Sequence, residues 1–435
     1  MIIIKKAYKE IQQYLGQQKY KENNTFHTSV FVVKESTPIG DLLYNTFTGE
    51  IVLTNSFDDI QILKKKWYYI SNEYDEFDVL EKFRKQLIDS YNSMVVSTYT
   101  IFPTTDCNAK CFYCFEEGRS KKYMNKKTAM MAATYISNNC KNEKVNIRWF
   151  GGEPLVNQMA IDTICTLLNE KGIKFSSKMA TNGFLFSQKN IEKACHNWHL
   201  EQVQITIDGT EFEYNRIKNY HCSHNINPFQ KVLDNIELLI SNGIYVIIRL
   251  NVDFFNISDQ INLVKKVLLT RFQRNKFIYI YSHLFLDSLI AGTVQEHKQL
   301  FEQKEVLDNL LYKAGFSCHT KTSTTFKLYR CISDNKESVT IMPDGEIGLC
   351  EHYSENHFVA DIRSSTPFNT SEVSFLRKRL PKLDICSNCS YYPFCIRLEC
   401  CPDCQNCFYE LKKQNIRNLH RELLAEFDAY LKNNS

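Results

Sequence analysis

Two hydrophobic periods alternate between residues 94 and 285. MVVSTYTIF (94–102), KVNIRWF (144–150), IKFSSKMA (173–180), EQVQITI (201–207), IYVIIRLNV (244–252) and NKFIYIYSHLF (275–285) are short runs of apolar, β-branched and aromatic residues, the signature of strands. Helical stretches such as 126–139, 160–172 and 226–243 lie between them. A strand followed by a crossover helix, repeated, builds a parallel sheet with helices outside. Six such units point to an α/β fold with an open or partial (β/α)6 barrel over 94–315 rather than a closed eightfold one. Ligand chemistry in such folds sits at the C-terminal strand ends. There the first four strands run into PTTDCNAKCFYC, GGEP, TNG and DGT, four loops expected on one rim.

The chain has 435 residues, enough for two or three domains. Hydrophobic residues make up 43% and charged residues 23%, which excludes a disordered, collagenous or mainly coiled-coil chain. A net charge of +4 gives no reason to expect nucleic acid as a partner. The apolar run at the N-terminus is three residues long, too short for a signal-peptide core. Nothing approaches the ~18 consecutive apolar residues of a membrane span, so no membrane partner is expected. A cytoplasmic, reducing location follows, and there the 17 cysteines read as metal ligands or redox groups rather than bridges.

Three of those cysteines, Cys107, Cys111 and Cys114, fall in C-x3-C-x2-C directly after the first barrel strand. Three thiolates can hold three irons of a [4Fe–4S] cube and leave the fourth open to a ligand. The same spacing also suits a zinc site with a remote fourth ligand, or buried structural cysteines.

With Tyr113 inside the motif, Trp149-Phe150-Gly151-Gly152-Glu153-Pro154, Thr181-Asn182-Gly183 and Ile207-Asp208-Gly209, the region 94–285 resembles the radical SAM superfamily. The resemblance implies a [4Fe–4S] cluster whose open iron chelates S-adenosylmethionine (SAM), and reductive cleavage of SAM to a 5′-deoxyadenosyl radical that takes a hydrogen atom from substrate. Cofactor contacts are implied for Tyr113, for Gly151 and Gly152, whose backbone can approach the methionine moiety, and for Glu153, Asn182 and Thr206. A basic residue ten positions past the Asp208 counterpart often binds the SAM carboxylate. That position is Lys218, with Arg216 two earlier. Arg249 and Asn251, ending strand five, are further candidates; a strand-end ion pair is the plainer reading of Arg249.

A second set of cysteines follows. Cys331, Gly345, Cys350 and then Cys386-x2-Cys389-x5-Cys395 resemble the SPASM extension, which carries auxiliary iron–sulfur clusters in radical SAM enzymes that modify peptides and proteins. The pattern then departs: position 399 is Glu, and Cys400 and Cys401 compete for the next ligand, as Cys404 and Cys407 do for the closing one. The resemblance implies one cluster on Cys331 and Cys350 with Cys400 or Cys401, and another on Cys386, Cys389 and Cys395 with Cys404 or Cys407. Cys318 stands near the first set. The competing reading is a zinc ribbon, Cys386-x2-Cys389 with Cys404-x2-Cys407. Cys140, Cys165, Cys195 and Cys222 lack partner spacing and read as packing residues. Glu351 stands where sulfatase-maturating relatives carry a basic Asp, and is either a catalytic base or a turn residue. His352 and His357 read as surface groups.

Residues 1–93 form the first of four segments and carry no cysteine. Strands at TSVFVVKE and DLLYNTFTGEIVLT and a helix over 75–92 suggest a small α+β module. It either holds a peptide leader by strand addition or caps the barrel. A cysteine-rich domain is expected over 316–412 and a packing helix over 413–435. The expected activity is radical SAM/SPASM maturation of a ribosomally made precursor peptide, closing a Cys thioether or a carbon–carbon link, with flavodoxin or ferredoxin as electron donor. A sulfatase-maturating enzyme and a non-catalytic zinc-ribbon binding protein are the alternatives.

Overall fold

The computed structural model describes residues 1–434 apart from 19–24, 56–58, 91–95, 117, 141–143, 222–225, 274, 285–292, 317–330, 334–336, 353–355, 365–367, 396, 402–406 and 408. Cys222, Cys318 and Cys404 therefore lie outside the described residues.

The N-terminal residues build an antiparallel sheet in the order β1-β5-β4-β3, from β1 (Ile2–Lys5), β3 (Val32–Thr37), β4 (Gly40–Asn45) and β5 (Glu50–Thr54). A two-stranded ribbon, β2 (Phe26–Thr28) with β6 (Tyr69–Ser71), lies beside it. The β4–β5 turn depends on Gly49, at φ +74°: a β-carbon there would fall 2.2 Å from Cε2 of Tyr8. The helix Glu76–Ser90 buries Phe77, Leu80 and Phe83, three residues of the face its periodicity predicts.

The barrel strands are β7 (Thr98–Ile101), β8 (Val145–Trp149), β9 (Phe175–Thr181), β10 (Leu200–Thr206), β11 (Tyr245–Val252) and β12 (Ile278–Leu284). They pair in sequence order, all parallel, as six βα units require. Alternation places Tyr99 and Ile101, Ile147 and Trp149, Val203 and Ile205, and Val246 and Ile248 under the helices, in one continuous apolar core. Trp149 and Trp198 are fully buried there, each stabilising the fold by roughly 2–3 kcal/mol. The other face of each strand lines the concave side.

The sheet does not stop at β7. A strand read from no sequence pattern, β13 (Ser338–Ile341), pairs parallel with β7, and β14 (Glu346–Gly348) and β15 (Ala360–Asp361) extend it antiparallel to nine strands. Strands of four, three and two residues leave too little period for detection. This extension leads into Cys350, and the residues directly after it meet the loop that follows Cys114.

The helix Tyr409–Asn434 lies across the N-terminal sheet. Its Leu419, Leu423 and Phe427 share a core with Val33, Leu42, Tyr44, Ile51 and Phe394. The loop between Cys389 and Cys395 plugs into the same module. Tyr392 stacks on Phe31 and packs edge-on to Phe77, Thr46 Oγ1 donates to the Ser390 carbonyl at 2.6 Å, and buried Arg84 donates to the Pro393 carbonyl at 3.0 Å. The first and last parts of the chain thus share two cores. Among the described residues no helix is long and apolar enough to cross a membrane.

Candidate active site

The loop after β7 holds Cys107, Cys111 and Cys114, all partly exposed. Its shape is set by the backbone that crosses beneath it. The Gly152 amide donates to the Thr104 carbonyl at 3.2 Å and the Glu153 amide to the Asp106 carbonyl at 2.9 Å. Both glycines are required for this approach. A β-carbon on Gly151 would fall 2.2 Å from the Thr104 oxygen, and one on Gly152 would fall 2.3 Å from the Asp106 oxygen. The far side of the loop is anchored to the helix Glu211–Lys218 and its exit: Lys110 donates to the Lys218 carbonyl and His221 to the Asn108 carbonyl, each at 2.9 Å.

Glu153 is fully buried and organises two other loops. It accepts from Thr181 Oγ1 at 2.8 Å, from the Asn182 amide at 2.8 Å and from the Leu155 amide at 3.1 Å. Burial pushes its carboxyl up to about 7, and these hydrogen bonds pull against the shift. Asn182 turns its own amide to the cysteine loop, donating to Asn108 Oδ1 at 2.7 Å and to Cys107 Sγ at 3.7 Å.

A buried charge network closes the other side. Lys218 pairs with Asp208 at 2.9 Å and donates to the Tyr113 hydroxyl at 3.1 Å; Tyr113 in turn donates to Asp208 at 2.6 Å. Asn251 Nδ2 donates to the second Asp208 oxygen at 3.3 Å, and Arg249 Nε donates to Asn251 Oδ1 at 2.8 Å. Thr206, across the strand from Arg249, ends β10 at the same level. Arg216 points away and pairs with Glu213 on an exposed helix face. Lys218 is thus the member of the basic pair that the fold brings to the cysteine loop.

The three thiols fit a cluster. Burial and the Glu153 carboxylate push the Cys107 thiol up to about 12, and burial also raises Cys111 and Cys114. Ionising all three needs a cationic partner at this spot. Among the described residues no three His, Cys, Asp or Glu side chains converge on one ion. Nδ2 of Asn108, buried and without a partner among the described residues, is a further donor in the cysteine loop.

The second set of cysteines divides in two. Burial, Glu351, Cys331 and Cys401 all act on the Cys350 thiol, raising its pKa, so these groups are neighbours. Cys400 turns instead toward the Phe375 carbonyl, 3.9 Å away. Burial lifts Cys395 to about 11, with Cys407, Cys386 and Cys389 adding to the rise. Those four thiols form the other group. Cys165 is fully buried, Cys140 donates to the Ser137 carbonyl at 3.2 Å, and Cys195 is half-buried; none of the three joins either group.

The cysteine loop and the Cys350 segment touch. Phe115 lies between Phe150 and His352, its ring 4.5 Å from the imidazole. Arg119 donates to the His352 carbonyl at 3.0 Å and pairs with Glu116 at 2.8 Å. His352 is thus half-buried against an aromatic ring rather than a bare surface group, while His357 pairs with Glu372 at 2.8 Å. Glu351 Oε2 is buried with no hydrogen-bond partner among the described residues. Asp208, Asn108 and Arg119 are members of the site that residue spacing did not single out. Only Asp208 had a signal, its place in the DGT loop.

Comparison with known proteins gives a consistent family. Residues 101–266 match the radical SAM superfamily. The radical SAM cyclopropyl synthase TigE of Paramaledivibacter caminithermalis is 23% identical over 259 residues, 54% of this chain and 52% of that protein. The chain therefore spans about half the length of this curated relative. Among solved structures, Streptococcus suis SuiB bound to its precursor peptide SuiA superposes with a TM-score of 0.51 at 14% identity, covering 86% of this chain and 95% of SuiB. The anSMEcpe structure with bound AdoMet reaches 0.57 at 16% identity, over 77% of this chain and 99% of that one.

Proposed function

We propose that this chain, an enzyme of the radical SAM superfamily through residues 101–266, matures a peptide substrate by oxidative cross-linking. Cys107, Cys111 and Cys114 hold its [4Fe–4S] cluster, and the Gly151–Gly152 cradle with Asn182 and the Tyr113–Asp208–Lys218 network faces SAM. When bound, the cluster and SAM would supply radical abstraction of a hydrogen atom from substrate. The protein's part is to orient, to exclude water and to hold charge.

The observation that carries the reading is the contact between the two cysteine regions. Phe115, directly after Cys114, stacks on the His352 ring, and Arg119 donates to the Glu351 and His352 carbonyls, directly after Cys350. A second redox group on Cys331, Cys350 and Cys401 would adjoin the radical site. Such a group would supply a ligand position for a substrate thiolate or an acceptor for the electron left when a link closes. The third group, Cys386, Cys389, Cys395 and Cys407, makes up the rest of a SPASM-like region. The named relatives support a peptide substrate: SuiB is described with a precursor peptide, and anSMEcpe with the Cp18Cys peptide. The preferred product is a Cys thioether, with flavodoxin or ferredoxin as electron source. β3, an edge strand of the N-terminal sheet, is the place for a leader to add as a further strand.

The test is coexpression, without oxygen, with the short reading frame adjacent to this gene. Each link removes two hydrogen atoms and lowers the peptide mass by about two. Replacing Cys107, Cys111 and Cys114 with Ala abolishes that change. A peptide of unaltered mass, from protein that does cleave SAM, refutes the cross-linking reading. Zinc without iron on the Cys386 group refutes the auxiliary cluster there.

A further inference from the structure

The concave face of the barrel carries a transverse row of hydrogen-bond donors that the reaction above does not use. Register pairs Thr340 with Thr100, Thr100 with Arg148, Arg148 with Lys178, and Lys178 with Gln202, so five adjacent strands contribute one residue each at one level. Arg148 and Lys178 are exposed, while the residues on either side of them in β8 and β9 are buried under the helices.

Two features of the row are costly without a ligand. Like charges directly across neighbouring strands, about 4.8 Å apart, repel, and neither Arg148 nor Lys178 forms an ion pair with any described residue. The six barrel strands contain one acidic residue, Glu201, and it is engaged by Lys144 at 3.1 Å. Next to the cations, the hydroxyls of Thr100 and Thr340 are 2% and 0% exposed and have no partner among the described residues. Buried hydroxyls in native structures are normally satisfied. All four groups present N–H or O–H, and none presents a negative charge.

We infer that this row is a carboxylate-binding site for the substrate peptide, with the exposed Arg148 and Lys178 as the charged clamp. Lys178 on β9 precedes Asn182, the residue after that strand, by four residues, about 13 Å of extended chain. A carboxylate held there lets the neighbouring part of a peptide extend up the concave face toward the cysteine loop. Charge-assisted hydrogen bonds from two cations give the row its preference for carboxylate over amide. The inference rests on the peptide-maturase reading only in naming the ligand a peptide. The carboxylate comes either from an Asp or Glu side chain or from the chain terminus.

The experiment uses the full chain, reconstituted without oxygen and loaded with SAM but no reductant. Three N-acetylated pentapeptides are titrated into it calorimetrically at low salt: Ala-Gly-Glu-Gly-Ala amide, Ala-Gly-Gln-Gly-Ala amide, and the Gln peptide with a free C-terminus. At least one carboxylate peptide binds about tenfold more tightly than the Gln amide, and which one does so identifies the source. Arg148→Gln with Lys178→Gln removes the preference, and Arg148→Lys with Lys178→Arg keeps it. Unchanged iron content and melting temperature show that the variants fold. Equal affinity for all three peptides, or a preference that survives the double Gln variant, overturns the inference. SAM cleavage on adding dithionite is scored separately: its absence counts against the maturase reading and leaves the row to be judged on binding.

Discussion

Lys218 Nζ lies 2.9 Å from Asp208 Oδ2, with the two side chains 4% and 1% exposed. Neither ion is tolerable there alone, because removing one partner of a buried pair strands the other without water. Asp208 also accepts from Tyr113 and Asn251, so the pair ties the cysteine loop to the ends of strands β10 and β11. Lys218→Met is expected to cost about 3–5 kcal/mol, read as a lowered midpoint in urea. Adding Asp208→Asn to it should recover at least half of the loss, since both charges are then gone. A single variant as stable as the parent would contradict this account.

Gly152 tests the cradle beneath the cluster loop. A methyl group there meets the Asp106 oxygen at 2.3 Å and the Thr105 oxygen at 2.6 Å. Both are backbone atoms and cannot swing aside. Gly152→Ala must therefore displace the segment leading into Cys107. Reconstituted Gly152→Ala should retain less than half the iron of the Cys107 site and bind SAM weakly. Gly172→Ala, where nothing lies within 4 Å of the added carbon, keeps both, at a modest stability cost from its φ of +68°.

The barrel was legible because its signals are local. Alternating periods locate all six strands, and rim loops follow four of them with chemistry-bearing residues. What sequence could not show was how separated segments meet. Nothing local in SVTI says that it pairs with β7, yet that pairing sets the course of the chain into Cys350 and the Glu351–His352 segment that Phe115 and Arg119 meet. Spacing favoured Cys400, whereas the Cys401-Pro402 step resembled the family's, and sequence left the two open. The fold turns Cys401 toward Cys350 and Cys400 toward the Phe375 carbonyl. The choice between Lys218 and Arg216 was likewise a matter of helix face, since two residues apart on a helix means opposite sides.

Tyr392 is the hinge of the shared cores. It stacks on Phe31, meets Phe77 at 4.9 Å and hydrogen-bonds Glu81 at 3.2 Å, while sitting between Cys389 and Cys395. Deleting the N-terminal module would strip packing from that cysteine loop, so a point substitution is the cleaner probe. Tyr392→Ala is expected to cost about 3 kcal/mol and to loosen metal at Cys386, Cys389 and Cys395. Iron at the Cys107 site stays. Metal analysis after mild chelation distinguishes the two sites, and equal loss from both would show the coupling to be global.

His283, near the end of β12, supplies a pH test. Burial, together with Arg249 and Lys304, holds its imidazole pKa down at about 4. A histidine whose folded pKa lies below its unfolded value binds fewer protons in the folded state between those two values. Stability from this group is therefore complete above pH 6.5 and falls as the pH drops toward 4. His283→Gln should flatten that part of the stability profile. The ring reaches solvent, so the effect is expected to be a fraction of the full linkage energy. Proton NMR of the ring should show it neutral at pH 6; a midpoint near 6.5 would refute the depressed value.

Glu351 is the residue whose chemistry most needs a substrate. Its Oε2 is buried and unpartnered among the described residues, directly after Cys350 and on a segment clamped by Arg119. A carboxylate in that state is poised to accept a proton or a donor that the protein itself does not supply. As a base for the closing step, it would matter to the coupled reaction and not to SAM cleavage. Glu351→Gln keeps the shape and one acceptor oxygen but loses the basicity. It should cleave SAM at the parent rate while forming cross-linked peptide about a hundredfold more slowly, and Glu351→Asp should restore part of the yield. If the Gln variant links peptide as fast as the parent, Glu351 is a structural turn residue; if it fails to cleave SAM as well, its role lies in positioning the cysteine loop through Arg119.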